Sequence, residues 1–503
     1  LMAGMGRYLD SGDGSDISYE NANDHIQGSS VGMADGPFYP TSYKYKNEKR
    51  SQFVRGSFDL FGRYVVSASL RRDGTDKFFP SKKYALFPSV SLAWKMNEES
   101  FIKNISWINM LKLRASYGET GSDNLGTTLY GIVTTAREDV QFNNNSVTYI
   151  PYILSGANYE DVTWQKTVMK NIGLDFSIFR DRIWGSVDVF RNDVTHLLGT
   201  APTELLGMHG TRPINGGHYK RTGIDVSLNS LNLQTHDFKW TSQITMSHYN
   251  AVWIERMPNY DYQKYQKRKN EPMNAFYYYK TTGIIDMDKS NMPESQRSLG
   301  PAACMPGYPI VEDKNGDGII DVNDSYMDNM LPKLYFGFGN TFTWKNFDLD
   351  IFMYGQLGVK KWNDAYSYSA DAGNLSRGVD AHNVGIYSYN IWNTQTNTNG
   401  YFPGIAISKS VALPENLGFD YTRENASYIR VRNITLGYNL GPKELSVFKG
   451  YIRGIRVFVD FQNPLTFTKY KGYDPEINTS SSNLTGGQYP QMRVYSIGAK
   501  LTF

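Results

Sequence analysis

The sequence predicts an all-β protein folded as a transmembrane, antiparallel β-barrel, and three observations support this class. Apolar and polar residues alternate with a period of two along most of the chain, as at residues 111–118 (LKLRASYG), whereas the helical period is rare. The polar face of many segments carries Lys, Arg, Asp and Ser, as a water-filled lumen permits. The apolar face often ends in Tyr, Trp or Phe, which is expected where a strand crosses the headgroup region.

The predicted strands are each about 9–11 residues long, which matches a tilted crossing of the hydrocarbon layer. Because lipid cannot pair the backbone groups of an open sheet edge, strands that cross a membrane must close into a barrel. The clearest alternating segments are, in order, residues 64–71, 89–95, 111–118, 171–178, 224–228, 336–344, 347–353, 434–438, 455–461 and 495–503.

The connections between these segments differ in length. Residues 179–182 and 231–237 form short links, which we predict to be turns on the inner side of the membrane. Residues 119–164, 249–332 and 356–427 form long polar connections, which we predict to be extracellular loops. Connections of this length are usually functional or disordered, so we expect the function to reside in the loops and the lumen.

Composition excludes several classes of protein. Hydrophobic residues make up 40% of the 503-residue chain, and no apolar run reaches the roughly 18 residues that a membrane-spanning helix needs. A net charge of +3 argues against charge-driven disorder and against general binding of nucleic acid. Cys304 is the single cysteine, which excludes an internal disulfide and a cysteine-based metal cluster. The chain begins at Leu1 without a secretory signal pattern, and we expect a mature or truncated piece of a longer protein.

Residues 313–324 (DKNGDGIIDVND) have the spacing of a calcium-binding loop, with oxygen ligands at alternate positions and Gly at the sixth. The predicted ligands are Asp313, Asn315, Asp317, the backbone carbonyl of Ile319, Asp321 and Asp324. The last position is Asp rather than Glu, which shortens its reach, and no helix patterns flank the loop as in a regulatory EF-hand. The alternative is an Asx-rich turn that needs no ion.

Several segments together resemble the SusC/RagA family of TonB-dependent outer-membrane nutrient transporters. They are GRYVVSASLRRDGTDKFFP (62–80), ALFPSVSLAWKMNEESF (85–101), LKLRASYGETGSDNLG (111–126), VEDKNGDGIIDVNDSYM (311–327), ASYIRVRNITLGYNL (426–440), NPLTFTKYKGYDPEIN (463–478) and YSIGAKLTF (495–503). The resemblance implies that residues 1–503 are the C-terminal part of a barrel of about 22 strands, of which roughly 12–14 lie here. The plug and the TonB box of the family would lie outside this chain, and the final strand ending in Phe503 resembles the family's outer-membrane assembly signal.

The resemblance also implies a function and its partners. We expect TonB-dependent import across the Gram-negative outer membrane, with outer-membrane lipid around the barrel and a SusD-like lipoprotein closing over its mouth. Two such transporter–lipoprotein pairs would form a dimer. Glycan oligosaccharides are the expected substrate, with oligopeptides as the alternative within the family. A secreted, calcium-stabilised carbohydrate-binding β protein and a passive porin or adhesin remain alternatives from other classes.

Aromatic residues in the long loops are the candidate substrate-binding groups, because aromatic rings stack on sugars and Tyr also offers a hydroxyl. Packing within the loops is the alternative for each of them, and a neighbouring basic run at 264–269 is interpreted as a solvated face. The candidates are Tyr277, Tyr278, Trp362, Tyr366, Tyr368, Asp371, Asn374 and Trp392.

The sequence contains no pattern typical of an active site. The seven histidines are scattered, no serine lies in a nucleophile-elbow motif, and no glycine-rich loop is present that could hold a phosphate. We therefore predict that the protein is not an enzyme.

Overall fold

The structure is a computed structural model. It describes residues 1–19, 38–124, 133–136, 142–144, 147–149, 152–156, 160–202, 211–258, 262–268, 270–362, 390–404, 413–441, 444–445, 447, 451–472, 474–477 and 490–503. Among these residues, no helix combines the length and the hydrophobicity that crossing a membrane requires.

The strands are numbered β1 to β25 along the chain, and fourteen of them form one sheet. These are β1 (Met2–Tyr19), β2 (Phe38–Leu60), β3 (Tyr64–Thr75), β4 (Tyr84–Lys95), β5 (Ile108–Ser122), β10 (Gln165–Ile178), β11 (Ile183–Pro202), β12 (Thr211–Gln234), β13 (Phe238–Glu255), β18 (Leu334–Trp344), β19 (Phe347–Leu357), β23 (Tyr428–Leu440), β24 (Gly454–Thr468) and β25 (Val494–Thr502). Each strand of this sheet pairs antiparallel with the next one along the chain, which confirms the predicted all-β, antiparallel class.

The remaining elements are short and lie in the connections. The strands are β6 (Val133–Ala136), β7 (Phe142–Asn144), β8 (Val147–Tyr149), β9 (Tyr152–Gly156), β14 (Ala275–Tyr279), β15 (Thr281–Ile284), β16 (Pro309–Val311), β17 (Tyr326–Asn329), β20 (Lys360–Trp362), β21 (Gly418–Phe419) and β22 (Arg423–Asn425). The helix α1 spans Ser100–Lys103, and 3₁₀ turns lie at Pro80–Lys82, Met96–Glu98, Lys264–Lys267, Glu294–Leu299, Pro301–Cys304, Val322–Asp324, Pro414–Asn416 and Asp420–Thr422.

Many strands of the main sheet are longer than predicted. β2 has 23 residues and β12 has 24, so the expected length of about 9–11 residues was wrong for them. The alternation in the sequence marks only the part of a strand that has one apolar face. Beyond it the residues are polar on both faces, as at 46–50 of β2, yet their backbone groups still pair with the neighbouring strand. Backbone pairing without a one-sided apolar pattern leaves no signal in the sequence.

The register of the sheet sorts the side chains onto two faces. One row across neighbouring strands is polar, with Ser57 opposite Ser67, and Ser67 opposite Ser91. The adjacent row is apolar, and in it Ile172 lies opposite Val189. These two side chains remain 62% and 55% exposed, because no second sheet of the described chain packs on the apolar face. An apolar face left uncovered is expected for strands in contact with lipid and not for a sandwich.

Aromatic side chains collect at the end of the sheet where the links are short. Tyr64 stacks on Trp94 with ring centroids 6.4 Å apart, and Trp107 stacks on Phe179 at 5.7 Å. Three further contacts at this end of the sheet join Trp240 to Phe342, Trp344 to Phe347 and Phe347 to Tyr438. Rings at this level are typical of the headgroup region of a membrane. The predicted short link at 179–182 is a turn in which residues 179–181 have positive φ, whereas β12 extends through most of the predicted link at 231–237.

At the other end of the sheet, described residues of the long connections fold into a compact unit. We call the described residues among 256–332 and 413–427 the loop module. Its sheets pair β14 with β17 and β21, and β15 with β16. Gln296 is fully buried at its centre: its Nε2 donates to the carbonyl oxygens of Ala303 and Pro309 at 3.0 and 3.1 Å, and its Oε1 accepts from the Val311 N–H at 3.0 Å. These bonds satisfy a buried amide and fix the turns of the module.

Candidate functional site

The polar face of the main sheet is the first candidate surface, and its charges near the short turns are paired. Arg114 donates from Nε and Nη2 to the carboxylate of Asp175 at 2.9 and 2.7 Å, and from Nη2 to Asp188 at 3.1 Å. Arg456 donates from Nε to the carboxylate of Asp348 at 3.1 Å. Because a guanidinium matches the geometry of a carboxylate, these pairs neutralise and stiffen this part of the wall.

Farther from the turns, hydroxyl, amide and aromatic groups line the same face. The hydroxyls of Ser69 and Ser89 lie 2.7 Å apart, and the rings of Tyr249 and Tyr335 stack in parallel with centroids 5.7 Å apart. Two cavities of about 620 and 560 Å³ lie along this face, and Asp225 lines both. Cavities of roughly 300–1,000 Å³ are the size at which proteins hold small ligands.

The predicted calcium loop lies in the loop module, and its carboxylates organise the backbone. Asp313 accepts hydrogen bonds from the N–H groups of Gly316 and Gly318 at 2.7 and 2.9 Å, and both glycines have the positive φ that the turns require. Asp324 is fully buried and accepts from the N–H groups of Lys314 and Asp321 at 2.9 and 2.8 Å. The loop therefore has a defined shape that its own side chains maintain.

The oxygen groups of this loop suit calcium in kind. Carboxylates, the Asn315 amide and the Ile319 carbonyl are hard donors, and a carboxylate oxygen that accepts one hydrogen bond keeps a further lone pair. In the part of the chain that the structure describes, no three side chains of His, Cys, Asp or Glu are grouped as a metal centre requires. The calcium site stays a prediction.

The calcium loop is joined to the core of the loop module. Ile320 packs with Tyr279, Val311 and Leu413 in one buried cluster, and the Tyr279 hydroxyl donates to the Asp321 carbonyl at 3.0 Å. Burial raises the pKa of Tyr279, and the nearby acidic groups raise it further, so its phenol remains a donor at physiological pH. The calcium loop is therefore in contact, through this buried cluster, with the segment around Leu413.

Two of the predicted substrate-binding tyrosines pack inside the module. Tyr278 is 7% exposed, stacks on Tyr326 at 5.9 Å and lies beneath the guanidinium of Arg423 at 5.8 Å. Burial raises the pKa of Tyr278 to about 12. Tyr277 is half-buried against Tyr265, with ring centroids 4.6 Å apart. The alternative role in loop packing accounts for both contacts, and substrate binding by these residues stays a prediction.

Trp392 is buried as well. It is 6% exposed, and a Cβ atom at Gly307 would lie 2.3 Å from its ring, so the glycine makes room for the indole. The backbone of Trp362 lies in β20, but its side chain, together with Tyr366, Tyr368, Asp371 and Asn374, lies outside the described residues. Among the described residues, the structure does not bring the predicted substrate-binding residues together on one surface.

Arg221 is a residue of the polar face that no sequence pattern singles out. Its guanidinium lies 3.8 Å from the ring centroid of Tyr249 and 5.7 Å from that of Phe190, on the polar face. Alternation alone places these residues on one face of their strands. It does not give the pairing that sets Gly223 opposite both Phe190 and Tyr249, so the contact could not be read from spacing.

Residues 3–463 match the family described as "TonB dependent receptor-like, beta-barrel". The chain belongs to this family. Its members are outer-membrane β-barrels, which agrees with the uncovered apolar face and with the aromatic rings at the turn end of the sheet. The prediction of a barrel of the TonB-dependent type is confirmed.

Individual relatives agree with this family. The chain is 28% identical to TonB-dependent receptor P3 of Formosa agariphila over 97% of its own length and 48% of the relative's. It is 27% identical to TonB-dependent receptor SusC of Bacteroides thetaiotaomicron over 92% of its own length and 44% of the relative's. The solved structure of the RagAB peptide transporter superposes with a TM-score of 0.74 at 21% identity, covering 100% of this chain and 53% of that one.

These comparisons also show how much of a relative's length the chain covers. It spans about half the length of the relatives that it matches, and the similarity to RagAB shows the fold alone. The curated relatives are receptors rather than enzymes, which confirms the prediction of a non-enzymatic protein.

Proposed function

We propose that this chain forms the C-terminal part of the barrel of a TonB-dependent outer-membrane importer that takes up glycan oligosaccharides. The observation that carries the proposal is the two-faced sheet of 14 strands. Its apolar face is uncovered at Ile172 and Val189, as lipid contact requires, while its polar face is lined by hydroxyls and paired charges. Such a wall suits the passage of a polar solute.

Oligosaccharide is favoured over other solutes by the chemistry of the polar face. The neighbouring hydroxyls of Ser57 and Ser67, 2.8 Å apart, and those of Ser69 and Ser89 offer both donors and acceptors. A sugar, which carries the same groups, exchanges hydrogen bonds with such a surface as it does with water. Oligopeptide is the second candidate, because the fold also matches that of the RagAB peptide transporter.

The proposed partners act at the two ends of the barrel. A SusD-like lipoprotein would contact the loop module, and TonB would act through a part of the protein that is not in this chain. Two transporter–lipoprotein pairs would form the dimer. The loop module supports a contact role, since its buried clusters give the long connections a defined surface instead of an ensemble.

Calcium would act in this scheme as a structural ion. Asp313, Asn315, Asp317, Asp321, Asp324 and the Ile319 carbonyl would hold it, and it would neutralise the acidic loop and fix the position of Ile320 in the module core. Titration of the full-length protein with Ca²⁺ and with Mg²⁺, followed by calorimetry, tests this role. We expect Ca²⁺ to bind and Asp313→Asn to abolish the heat signal. Binding that survives this change, or no binding to the wild type, contradicts the site.

Uptake measurements test the import function. The full-length protein and its lipoprotein are expressed in cells, and uptake of labelled oligosaccharides and oligopeptides is followed with and without TonB. We expect oligosaccharide uptake that stops when TonB is deleted. Uptake of peptides alone selects the second candidate. Uptake that continues without TonB contradicts active import and supports a passive porin.

A further inference from the structure

The lipid-facing side of the main sheet contains a groove that the proposed function does not involve. It has a volume of about 510 Å³ and extends across β4, β5 and β10 to β12. Ala115 lines it and lies opposite Leu92 on one side and Ile172 on the other. Because alanine is smaller than these neighbours, it leaves a depression in the apolar row of the sheet. The groove therefore opens toward the membrane, on the face of the sheet opposite the lumen.

An apolar groove in this position is filled by the acyl chains of lipids. Leu92, Ile172 and Val189 line it and are each more than half exposed in the described chain, and lipid is what covers such a face in a membrane. Hydrocarbon contacts are similar for every lipid, so they do not by themselves select one. Any selection has to come from polar groups at the edge of the groove.

Two cations lie at the end of the groove that is nearer the long connections. Lys170 and Arg191 both line the groove, and they lie directly opposite each other in the pairing of β10 with β11. Residues in this arrangement have Cβ atoms about 4.5–5.5 Å apart, and like charges there destabilise a sheet. An anion between the two side chains removes this repulsion through charge-assisted hydrogen bonds to both.

The carboxylates at this level of the sheet are already paired. Arg191 donates from Nε and Nη2 to the carboxylate of Asp193, at 2.8 Å each, which leaves its other N–H groups for a further acceptor. Glu119 pairs with Lys166 at 2.6 Å. Lys170 is exposed, and no carboxylate of the described residues lies within ion-pair distance of its ammonium group. The edge of the groove therefore has a cation without a counterion.

The position of Lys170 along its strand matches the outer lipid headgroups. The outward row of β10 is apolar from Ile178 to Ile172, and Lys170 is its first charged residue. Lys170 lies eight residues from Ile178 at the short turn, which is roughly 26 Å along the strand and roughly 20 Å along the axis of a barrel at the usual tilt. The apolar band of a barrel is about 25 Å tall, and the long lysine stem extends toward the aqueous side. The ammonium group therefore reaches the level of lipid phosphates.

We propose that this groove binds a phosphate-bearing lipid of the outer leaflet, with an acyl chain along Ala115 and the phosphate between Lys170 and Arg191. An apolar groove with cations at one end matches a molecule that has an alkyl chain and an anionic headgroup, which is the chemistry of a lipid. The groove is also continuous with the rest of the lipid-facing row. The inference goes beyond the proposed function, because it does not depend on which solute is imported.

Binding of a matched pair of lipids tests the proposal. Lipid A and its fully dephosphorylated form carry the same acyl chains and differ in the phosphate groups. Native mass spectrometry of the full-length protein with its lipoprotein, in a neutral detergent, measures the binding of both. We expect the wild type to prefer the phosphorylated lipid by about tenfold, Lys170→Gln to reduce this preference, and the double variant Lys170→Gln, Arg191→Gln to abolish it. Equal binding of the two lipids by the wild type, or an unchanged preference in the double variant, overturns the site.

Two further variants separate the remaining explanations. Lys103→Gln removes an exposed lysine from α1, at the short-turn end of the sheet, and should leave the preference unchanged. An equal loss in this variant means that bulk charge attracts the lipid, and the proposed site is then wrong.

Ala115→Phe fills the groove without changing a charge, and we expect it to weaken the binding of both lipids. If it instead leaves lipid binding intact and dissociates the dimer, the groove is an interface between copies and the proposal fails. Inorganic phosphate should not compete with the lipid, and full competition by phosphate alone overturns the role of the groove. None of these readouts depends on the imported solute, so the lipid site and the glycan function are accepted or rejected separately.

Discussion

The phenol of Tyr279 donates a hydrogen bond of 3.0 Å to the backbone carbonyl of Asp321, and this contact joins the predicted calcium loop to the middle of the loop module. Tyr279 is completely buried at the end of β14, which pairs with β17 on one side and β21 on the other. The connection between β13 and β18 therefore meets the connection between β19 and β23 at the side chain of Tyr279. The loop is part of the module core and not an appendage.

Removal of this hydroxyl should loosen the calcium loop. Tyr279→Phe keeps the ring in its cluster but leaves the Asp321 carbonyl without its donor, so we expect a loss of about 1 kcal/mol. Hydrogen exchange of residues 313–324 in the absence of calcium measures the effect. Tyr277→Phe is the matched control, because the buried hydroxyl of Tyr277 has no partner in the described chain and its loss should be neutral. Equal exchange in the two variants contradicts the anchoring role.

Adjacent residues of β10 should respond in opposite ways to the same charge. Ile172 lies on the apolar face and Asn171 on the polar face, opposite Ser116. Ile172→Lys places an ammonium group in lipid at a cost of about 2–4 kcal/mol near the midplane, whereas Asn171→Lys places it in water. Membrane fractionation and heat-modifiable gel mobility of the full-length protein measure assembly. If Asn171→Lys were the more damaging change, the assignment of the two faces would be reversed.

The cation between two aspartates should stabilise the wall of the barrel. Arg114→Gln removes the donor that Asp175 and Asp188 share, so that Asp175 keeps only its pair with Lys112 at 2.8 Å and Asp188 loses its cation. We expect a loss of about 1–3 kcal/mol, measured as a lower unfolding temperature in detergent. Arg71→Gln is the control, since its pair with Asp73 is local and the arginine side chain is 53% exposed. A control that unfolds as early as Arg114→Gln would argue against the shared role.

A buried carboxylate in the loop module should make its stability depend on pH. Glu271 is 2% exposed, and burial raises its pKa above 4.5 although Arg256 opposes the shift. A raised pKa in the folded state stabilises the fold below pH 4.5, and this contribution is lost as the pH rises through the folded value. Protection of residues 253–279 from hydrogen exchange should therefore fall with rising pH in the wild type and less so in Glu271→Gln.

A second carboxylate of the module provides the control for this pH dependence. Glu312 pairs with Lys280 at 2.8 Å, and its side chain is 29% exposed, so Glu312→Gln removes a carboxylate of the same module that is far less buried than Glu271. The fall in protection with rising pH should persist in this variant, because Glu271 is still present. Protection that rises with pH in the wild type, or a profile that Glu271→Gln leaves unchanged, contradicts the role of Glu271.

The sequence predicted the sheet well where one face of a strand is apolar. Residues 171–178 and 455–461 alternate clearly, and both lie in strands of the main sheet. The same reasoning could not give the full length of β2 or β12, because paired backbone groups in water do not require an apolar face. Strand existence followed from local pattern, whereas strand ends depended on the neighbouring chain.

The candidate site was harder to predict, for a physical reason that Tyr278 and Arg221 illustrate. An aromatic residue in a polar loop has the same local signal whether it faces a ligand or packs on Tyr326, so burial decides its role and spacing does not. In the sequence, Arg221 cannot be told apart from any other arginine of a strand. Its contact with Tyr249 depends on the register in which β12 pairs with β13. The calcium loop could be recognised because its ligands are close in sequence.

The length of β12 has a consequence for the cell surface. A strand of 24 residues is roughly 80 Å long at about 3.3 Å per residue, which at a tilt of about 35–45° is roughly 55–65 Å along the barrel axis, while the apolar band of a barrel is only about 25 Å tall. Since β11 and β12 remain paired up to Pro202 and Thr211, much of this hairpin rises above the lipid headgroups as a stiff ribbon.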